Sequence, residues 1–332
     1  MAILIAMENR EAVIALNMLP KIGPVRVRRL LECFGSAQAI LKASNNALTQ
    51  VQGIGNETAK ILTGWENYID LSKELDEASS RDIKIVIESD DNYPSSLRNM
   101  YDPPLALYVW GTLSEMDKHS ISMVGSRKTS NYGRETARKL ALQLASAGFT
   151  IISGMARGID TYSHEGAIAG NGRTIAVIGS GLGQIYPPEN MALAEKIAGG
   201  YGAVVSEFPL NTTPDKKTFP MRNRIVAGWS NATLVVECPQ WSGSMITANL
   251  ATEMGKPIYA VPGPIDRPTS AGCNHLIRQG ATLITKAEDI LDDFSTLPLF
   301  EIPQNAPMPR TSMNLSEEEQ NVFQHLSKED IS

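Results

Sequence analysis

Ile121-Ser-Met-Val124, then Gly125-Ser-Arg-Lys-Thr-Ser130, then a helical stretch from Tyr132 to Ala147, then Thr150-Ile-Ile-Ser153 and Gly154-Met-Ala-Arg-Gly-Ile-Asp160: this order decides the fold. Two short, β-branched apolar runs flank an amphipathic helical stretch, and each run ends in a glycine-bearing turn that opens the next helix. Strands that read as unbroken apolar runs are those buried on both faces, which is how parallel strands covered by helices read. Outward from this unit the alternation continues from about 83 to 292. Strands are predicted at Ile83–Glu88, Ile121–Val124, Thr150–Ser153, Thr174–Ile178, Ala203–Ser206, Thr233–Glu237, Pro257–Val261 and Thr282–Ile284. The helices expected near them are Tyr132–Ala147, Asp160–Ala169, Glu189–Ile197, Met221–Ala227, Ser244–Met254, Asn274–Gln279 and Lys286–Asp292. The fold class is therefore α/β, a doubly wound and mostly parallel sheet.

The flanks differ in pattern. Residues 1–75 are helical in character, with apolar residues at three and four spacings through Ala12–Leu19, Val27–Leu31, Ala37–Leu41 and Ala59–Leu62. Leu19-Pro-Lys-Ile-Gly-Pro-Val25 and Val51-Gln-Gly-Ile-Gly-Asn-Glu57 both fit the turn of a helix-hairpin-helix. Such turns either present backbone N–H groups to a phosphate, with Lys21, Arg26, Arg28 and Arg29 adding charge, or merely let two helices pack closely. Residues 297–332 begin with a proline-rich linker to about Thr311, followed by one short helix, Leu315–Leu326, with Ser316 as its cap. One helix cannot bury a core alone.

With 332 residues, 42% of them apolar, the chain has enough for a core, and at roughly 150 residues per domain it suits two or three domains or one large domain with appendages. Cys33, Cys238 and Cys273 are odd in number, far apart in sequence and in no Cys-x-x-Cys pair, so neither a disulfide framework nor a zinc ribbon is encoded. The apolar run Met1–Met7 meets Glu8, Asn9, Arg10 and Glu11 at once, which is too short and wrongly flanked for a signal peptide. No stretch approaches the ~18 apolar residues of a membrane span. A soluble protein of the reducing cytoplasm is expected. Its net charge of -6 hides an asymmetry: from Glu288 onward ten acidic residues face two basic ones, whereas between 120 and 230 twelve basic residues face seven acidic. A positive surface on the α/β region follows.

Ligands of doubly wound sheets bind outside the carboxyl ends of the strands, and here those junctions carry small residues and cations. Gly125 permits a tight turn, the N–H groups of Ser126 and beyond can form an anion nest, and Arg127, with Lys128 beside it, offers a two-donor fork for phosphate. This is not the dinucleotide GxGxxG fingerprint. Gly154 and Arg157 repeat the pairing at the next junction. Gly179-Ser-Gly-Leu-Gly183 leads into Tyr186-Pro-Pro-Glu-Asn190, a rigid stop. Lys216-Lys217-Thr-Phe219-Pro-Met-Arg222-Asn-Arg224 mixes cations with an aromatic, the combination that suits single-stranded nucleic acid. Its two arginines sit about 200° apart round a helix, so one can reach a ligand while the other ties down an acid such as Glu207 or Glu237. Ser242-Gly243-Ser244 opens another helix and makes a further anion-friendly turn. Candidate catalytic groups are few: His164 follows Asp160 by one helical turn, and Cys273 neighbours His275, but no P-loop, HExxH or GxSxG motif is present.

These blocks, in this order, resemble a known family. Val124-Gly-Ser-Arg-Lys, Ser153-Gly-Met-Ala-Arg-Gly-Ile-Asp, Thr174-Ile-Ala-Val-Ile-Gly-Ser-Gly-Leu, Tyr186-Pro-Pro-Glu-Asn, Ser206-Glu-Phe-Pro, Phe219-Pro-Met-Arg-Asn-Arg, Ser242-Gly-Ser-Met-Ile-Thr-Ala, Ala260-Val-Pro-Gly and Asn274-His-Leu-Ile-Arg-Gln-Gly-Ala look like the DNA-processing protein A (DprA, or Smf) family. The resemblance implies an extended Rossmann-like domain over 83–292 that binds single-stranded DNA, forms a homodimer and loads RecA recombinase on incoming strands during natural transformation. It implies no catalysis, cofactor or metal. By motif match Arg127 falls in the family's phosphate contact, and Lys216, Phe219, Arg222 and Arg224 fall in its basic Phe-Pro block. The expected DNA-binding set is Gly125, Ser126, Arg127, Lys128, Gly154, Arg157, Lys216, Lys217, Phe219, Arg222, Arg224, Ser242, Gly243 and Ser244. Residues 1–75 are similar to the family's helix-hairpin-helix or SAM-like module, and 297–332 to an incomplete winged helix. The rival class is an enzyme, a LOG-type phosphoribohydrolase, whose Pro-Gly-Gly-x-Gly-Thr turn this sequence replaces with Ser242-Gly243-Ser244.

Overall fold

The computed structural model describes residues 7–295, so the linker, the Leu315–Leu326 helix and the whole 297–332 segment expected above lie outside the described residues. Nine strands form one sheet: β1 Ile83–Ile87, β2 Ala106–Gly111, β3 Ser120–Val124, β4 Thr150–Ser153, β5 Thr174–Val177, β6 Gly202–Ser206, β7 Ala232–Val235, β8 Ile258–Ala260 and β9 Thr282–Leu283. Their order is β1-β2-β6-β5-β4-β3-β7-β8-β9. The seven strands from β6 to β9 along this order are parallel, while β2 runs antiparallel to β6 and β1 antiparallel to β2. Strand β2 was absent from the predicted set. Pro103 and Pro104 precede it and no long helix follows, so the strand-then-helix signal that marks the parallel strands is missing there.

Successive residues of β3 point to opposite layers, as a strand requires. Ile121 and Met123 join Ala137, Leu140 and Leu144 of helix Asn131–Ser146 and Ile159 and Ala167 of helix Ile159–Ala169. Val124 faces the other side, among Ile225, Val226 and Trp229 of helix Thr218–Trp229 and Met245 and Ala248 of helix Gly243–Glu253. Ser122 shares that second side and satisfies its hydroxyl against Thr233 Oγ1 at 2.7 Å. Full burial of each such aliphatic side chain contributes about 1.5–3 kcal/mol, which is why the sheet is covered on both faces. The strand order reverses between β3 and β7: β4, β5 and β6 add on one side, β7, β8 and β9 on the other. This switch point leaves a crevice at the carboxyl ends of β3 and β7.

The first region folds as helices Asn9–Met18, Pro24–Phe34, Ala37–Lys42, Asn45–Thr49 and Asn56–Thr63 around a core that includes Leu16, Leu30, Ile40, Leu48 and Leu62. Gly23 and Gly55 cap the helices after the two glycine turns, and Lys21 of the first turn bridges to Glu57 of the second at 2.5 Å. Arg28 pairs with Glu88 beside β1 at 3.0 Å. Two of the four basic residues beside the first turn are therefore engaged with carboxylates. Helix Leu71–Ser80 straddles the boundary expected near 75 and packs against β1. No helix among the described residues is long and apolar enough to cross a membrane.

Candidate nucleic-acid interface

The β3-to-helix turn is built by its neighbours. Ser126 N–H donates to the Glu237 carbonyl at 2.6 Å, and Ile159 N–H donates to the Ser126 carbonyl at 3.1 Å, so the turns after β3, β4 and β7 are stitched together. Gly158 makes this approach feasible: its φ is +79°, and a Cβ there would stand 2.2 Å from the Ser126 carbonyl oxygen. The Glu237 carboxylate accepts from Thr129 Oγ1 at 2.6 Å and from Ser130 N–H at 2.9 Å. Burial pushes this carboxyl up, but those hydrogen bonds prevail and hold it below the ordinary range. Glu237 was expected to bind an arginine; it organises the Arg127 loop instead.

A cavity of about 530 Å³ opens at the switch point. Gly125, Ser126, Arg127 and Lys128 form one wall, Gly154 and Asp160 the next, Lys216 and Phe219 a third, and Ser242, Gly243 and Ser244 the fourth, with Arg222 also in the lining. Four cationic side chains (Arg127, Lys128, Lys216 and Arg222) thus face one carboxylate, Asp160. The exposed Arg127 guanidinium lies 5.1 Å from the centroid of the Phe219 ring. Ser242 is the N-cap of helix Gly243–Glu253 without a side-chain capping bond, so that helix brings its first N–H groups and its dipole to the wall.

Arg222 is the cavity's floor rather than an arm reaching into it. Its guanidinium is buried and donates to the Gly154 and Val177 carbonyls. Burial lowers its pKa to about 10, so it remains a cation at neutral pH. Asp160, also buried, accepts from Gly154 N–H at 3.2 Å and Ala156 N–H at 3.3 Å. Burial raises its carboxyl above the usual range, against the pull of Arg222. His164 beneath them is packed, with Nδ1 2.6 Å from Thr174 Oγ1 and its pKa lowered to about 3 by burial and then by Arg222. It has no exposure through which to act as a base.

Three expected site residues lie elsewhere. Arg224, two positions along the helix from Arg222, turns away and pairs with Glu207 and, at 3.1 Å, with Asp102. Lys217 is exposed outside the lining, its N–H bonded to Asp215 at 2.7 Å. Arg157 lines a smaller recess next to the cavity and is held by Glu189. Tyr186, read from sequence only as part of a rigid stop, lines that recess too, with its ring centroid 5.8 Å from that of Phe219. No periodicity marks a loop tyrosine as part of a site. Cys238 and Cys273, far apart in sequence, meet as free thiols with their sulfurs 3.9 Å apart behind the β7 turn.

The chain's likeness to characterised proteins agrees with this architecture. The family model described as DNA recombination-mediator protein A matches residues 84–295, and one described as a SAM-like helix-hairpin-helix tandem matches residues 13–62. The protein Smf of Synechocystis is 35% identical over 292 residues, covering 87% of this chain and 73% of that one. The crystal structure of DNA processing protein A from Streptococcus pneumoniae superposes with a TM-score of 0.75 at 32% identity, over 86% of this chain and 98% of that one. DNA processing protein A from Helicobacter pylori, whose structure was described for its single-stranded DNA binding mode, gives a TM-score of 0.58 at 28% identity over 65% of this chain and 96% of that one. A family model that spans most of the sheet, a relative 35% identical over most of both chains and a superposing crystal structure together place the chain: it belongs to the DNA recombination-mediator protein A family.

Proposed function

We propose that the chain binds single-stranded DNA in the cavity at the switch point and, as a homodimer in the cytoplasm, protects incoming DNA and loads RecA recombinase on it during natural transformation, with no catalytic step of its own. The observation that carries the binding reading is the convergence of Arg127, Lys128 and Lys216 over buried Arg222, with Phe219 among them and a helix N-terminus opposite. The single-strand binding described for the Helicobacter pylori relative supports the polymer, and the family's description as a recombination mediator supports a role beside a recombinase.

The physical sequence of events follows from the parts. Arg222 cannot leave its carbonyls, so it supplies a fixed positive potential from below. Arg127 is different: its contact with Phe219 is a cation–π interaction of about 0.5–1 kcal/mol at an exposed site. A phosphate offers it two charge-assisted hydrogen bonds, so the guanidinium leaves the ring for the phosphate and uncovers it. An unpaired base then stacks there, worth about 1–3 kcal/mol. A duplex keeps its bases inside and cannot make that second contact, so preference for single strands follows.

Fluorescence anisotropy with an oligo-dT strand and a duplex of matched length tests the reading. Expected are tight binding of the strand, weaker binding of the duplex and a log-log salt slope of about -0.7 per phosphate engaged. Arg127→Ala and Lys216→Ala should each lose about tenfold in affinity and flatten that slope by about 0.7. Wild-type affinity in both variants overturns the reading. Light scattering tests the homodimer, and RecA filament assembly on coated single strands tests the loading.

A further inference from the structure

The recess beside the main cavity shares Arg127, Gly154 and Phe219 with it, but Arg157, Tyr186 and Pro187 line the recess alone. Across it, cations and rings alternate in a row. Arg127 lies 5.1 Å from the Phe219 centroid, Phe219 is 5.8 Å from Tyr186, and Arg157 lies 5.8 Å from the Tyr186 centroid. The row is assembled from the turns after β3, β4 and β5 and from the start of helix Thr218–Trp229, so it follows the strand ends outward from the switch point. Tyr186 is only half-buried, and its hydroxyl meets Arg157 Nη1 at 3.5 Å. At the outer end Glu189 holds Arg157 in an ion pair with both side chains about half exposed, at 51% and 49%. Water screens such a pair and leaves it weak, so a phosphate can replace the carboxylate.

We propose that Tyr186 and Arg157 form a second nucleotide-binding step, continuous with the first, in which a base stacks on Tyr186 while its phosphate displaces Glu189 from Arg157. The inference rests on the single-strand reading above and adds the strand's path, from Phe219 toward β5, and a carboxylate that masks the second cation until DNA arrives. The chemistry repeats that of the first step. An arginine covers a ring in the free protein, moves to a phosphate in the complex and leaves the ring to a base. Glu189 is the difference between the two steps. It neutralises Arg157 in the absence of DNA, so the second step engages only a strand already held by the first.

The test uses the full chain, a dT series of increasing length, and strands carrying one 5-iodouracil at successive positions for photocrosslinking. Tyr186→Ala should lower affinity for the longer strands about tenfold while leaving the shortest strand that binds unaffected. Tyr186→Phe, which keeps the ring, should restore the loss. Glu189→Gln should tighten binding of the longer strands several-fold at low salt, and because Glu189 is exposed this variant tests the step even where Tyr186→Ala fails to fold. A crosslink from one iodouracil position to Tyr186 is expected. If wild-type protein binds no oligo-dT, the single-strand reading and this step fall together. If it binds, but both Tyr186→Ala and Glu189→Gln keep wild-type affinity for every length and no crosslink reaches residue 186, the second step alone is overturned.

Discussion

Arg222 and Arg127 both belong to the cavity, yet their surroundings assign them opposite duties. Arg222 has buried carbonyls on its guanidinium and buried Asp160 near it. Replacing it with Met leaves those acceptors unpaired and Asp160 uncompensated, and should cost about 3–5 kcal/mol, the range for breaking a buried charge pair. Arg127→Ala should move stability by less than about 1 kcal/mol, since it gives up one exposed ring contact. Urea unfolding of the two variants checks this: equal losses would show that the floor and the arm have been misassigned. His164 makes a second prediction. Folded, it stays neutral down to about pH 3; unfolded, it takes a proton near its ordinary 6.5. The unfolded state therefore binds the extra proton between these values, and stability declines by about 1.4 kcal/mol per pH unit from this group as pH falls below 6.5. The pH dependence of unfolding in His164→Gln should be shallower than wild type between pH 6.5 and 5, and parallel curves would refute it. The sequence showed which residue types were gathered around 122–130 and 216–224. It did not show which arginine faces in, because that is set by where the helix's partners lie.

The loop after β3 is shaped from the loop after β7. Glu237 supplies the acceptor for Thr129 and Ser130, and its own carbonyl takes Ser126 N–H. Hydrogen bonds to a charged group contribute about 1.5–3 kcal/mol, so Glu237→Ala should lower stability by about that much. It should also speed hydrogen exchange at the Ser130 amide while leaving the β3 amides slow. Unchanged exchange at Ser130 would mean the loop holds its shape without Glu237. Periodicity made the parallel strands and their helices legible, since burial on two faces demands continuous apolar runs and helices demand a spacing of three and four. Strand β2 has no long helix after it and so carries only half of that signature; β1 lacks that helix too, but its β-branched run Ile83–Ile87 is legible by itself, whereas Ala106–Gly111 holds one β-branched residue. The pairing of Glu237 with a turn 107 positions away leaves no trace in local sequence at all.

At the scale of the whole molecule, the helical tandem and the sheet share a core. Ile14 of helix Asn9–Met18 is buried among Ile85, Tyr108, Ala176 and Val204 of the sheet. Arg10 pairs with Asp90, and Asn17 donates to the Glu207 carbonyl at 3.0 Å. Ile14→Ala should therefore cost about 2–5 kcal/mol, as a buried truncation does, and calorimetry should show tandem and sheet unfolding in one transition that shifts down together. A separate early transition for the tandem would count against a shared core. Sequence by itself determined the α/β class, the helical first region, the cationic glycine turns and the family, because each of these is written in local spacing and in the order of blocks along the chain. Tertiary structure alone decided which turns meet. It put the β3 and β7 turns on either side of one gap, sent Arg224 to Glu207, laid Phe219 beside Tyr186 and brought Cys238 to Cys273. The reason is physical: strand order in the sheet is set by which faces bury one another, a long-range balance that no single stretch of chain contains.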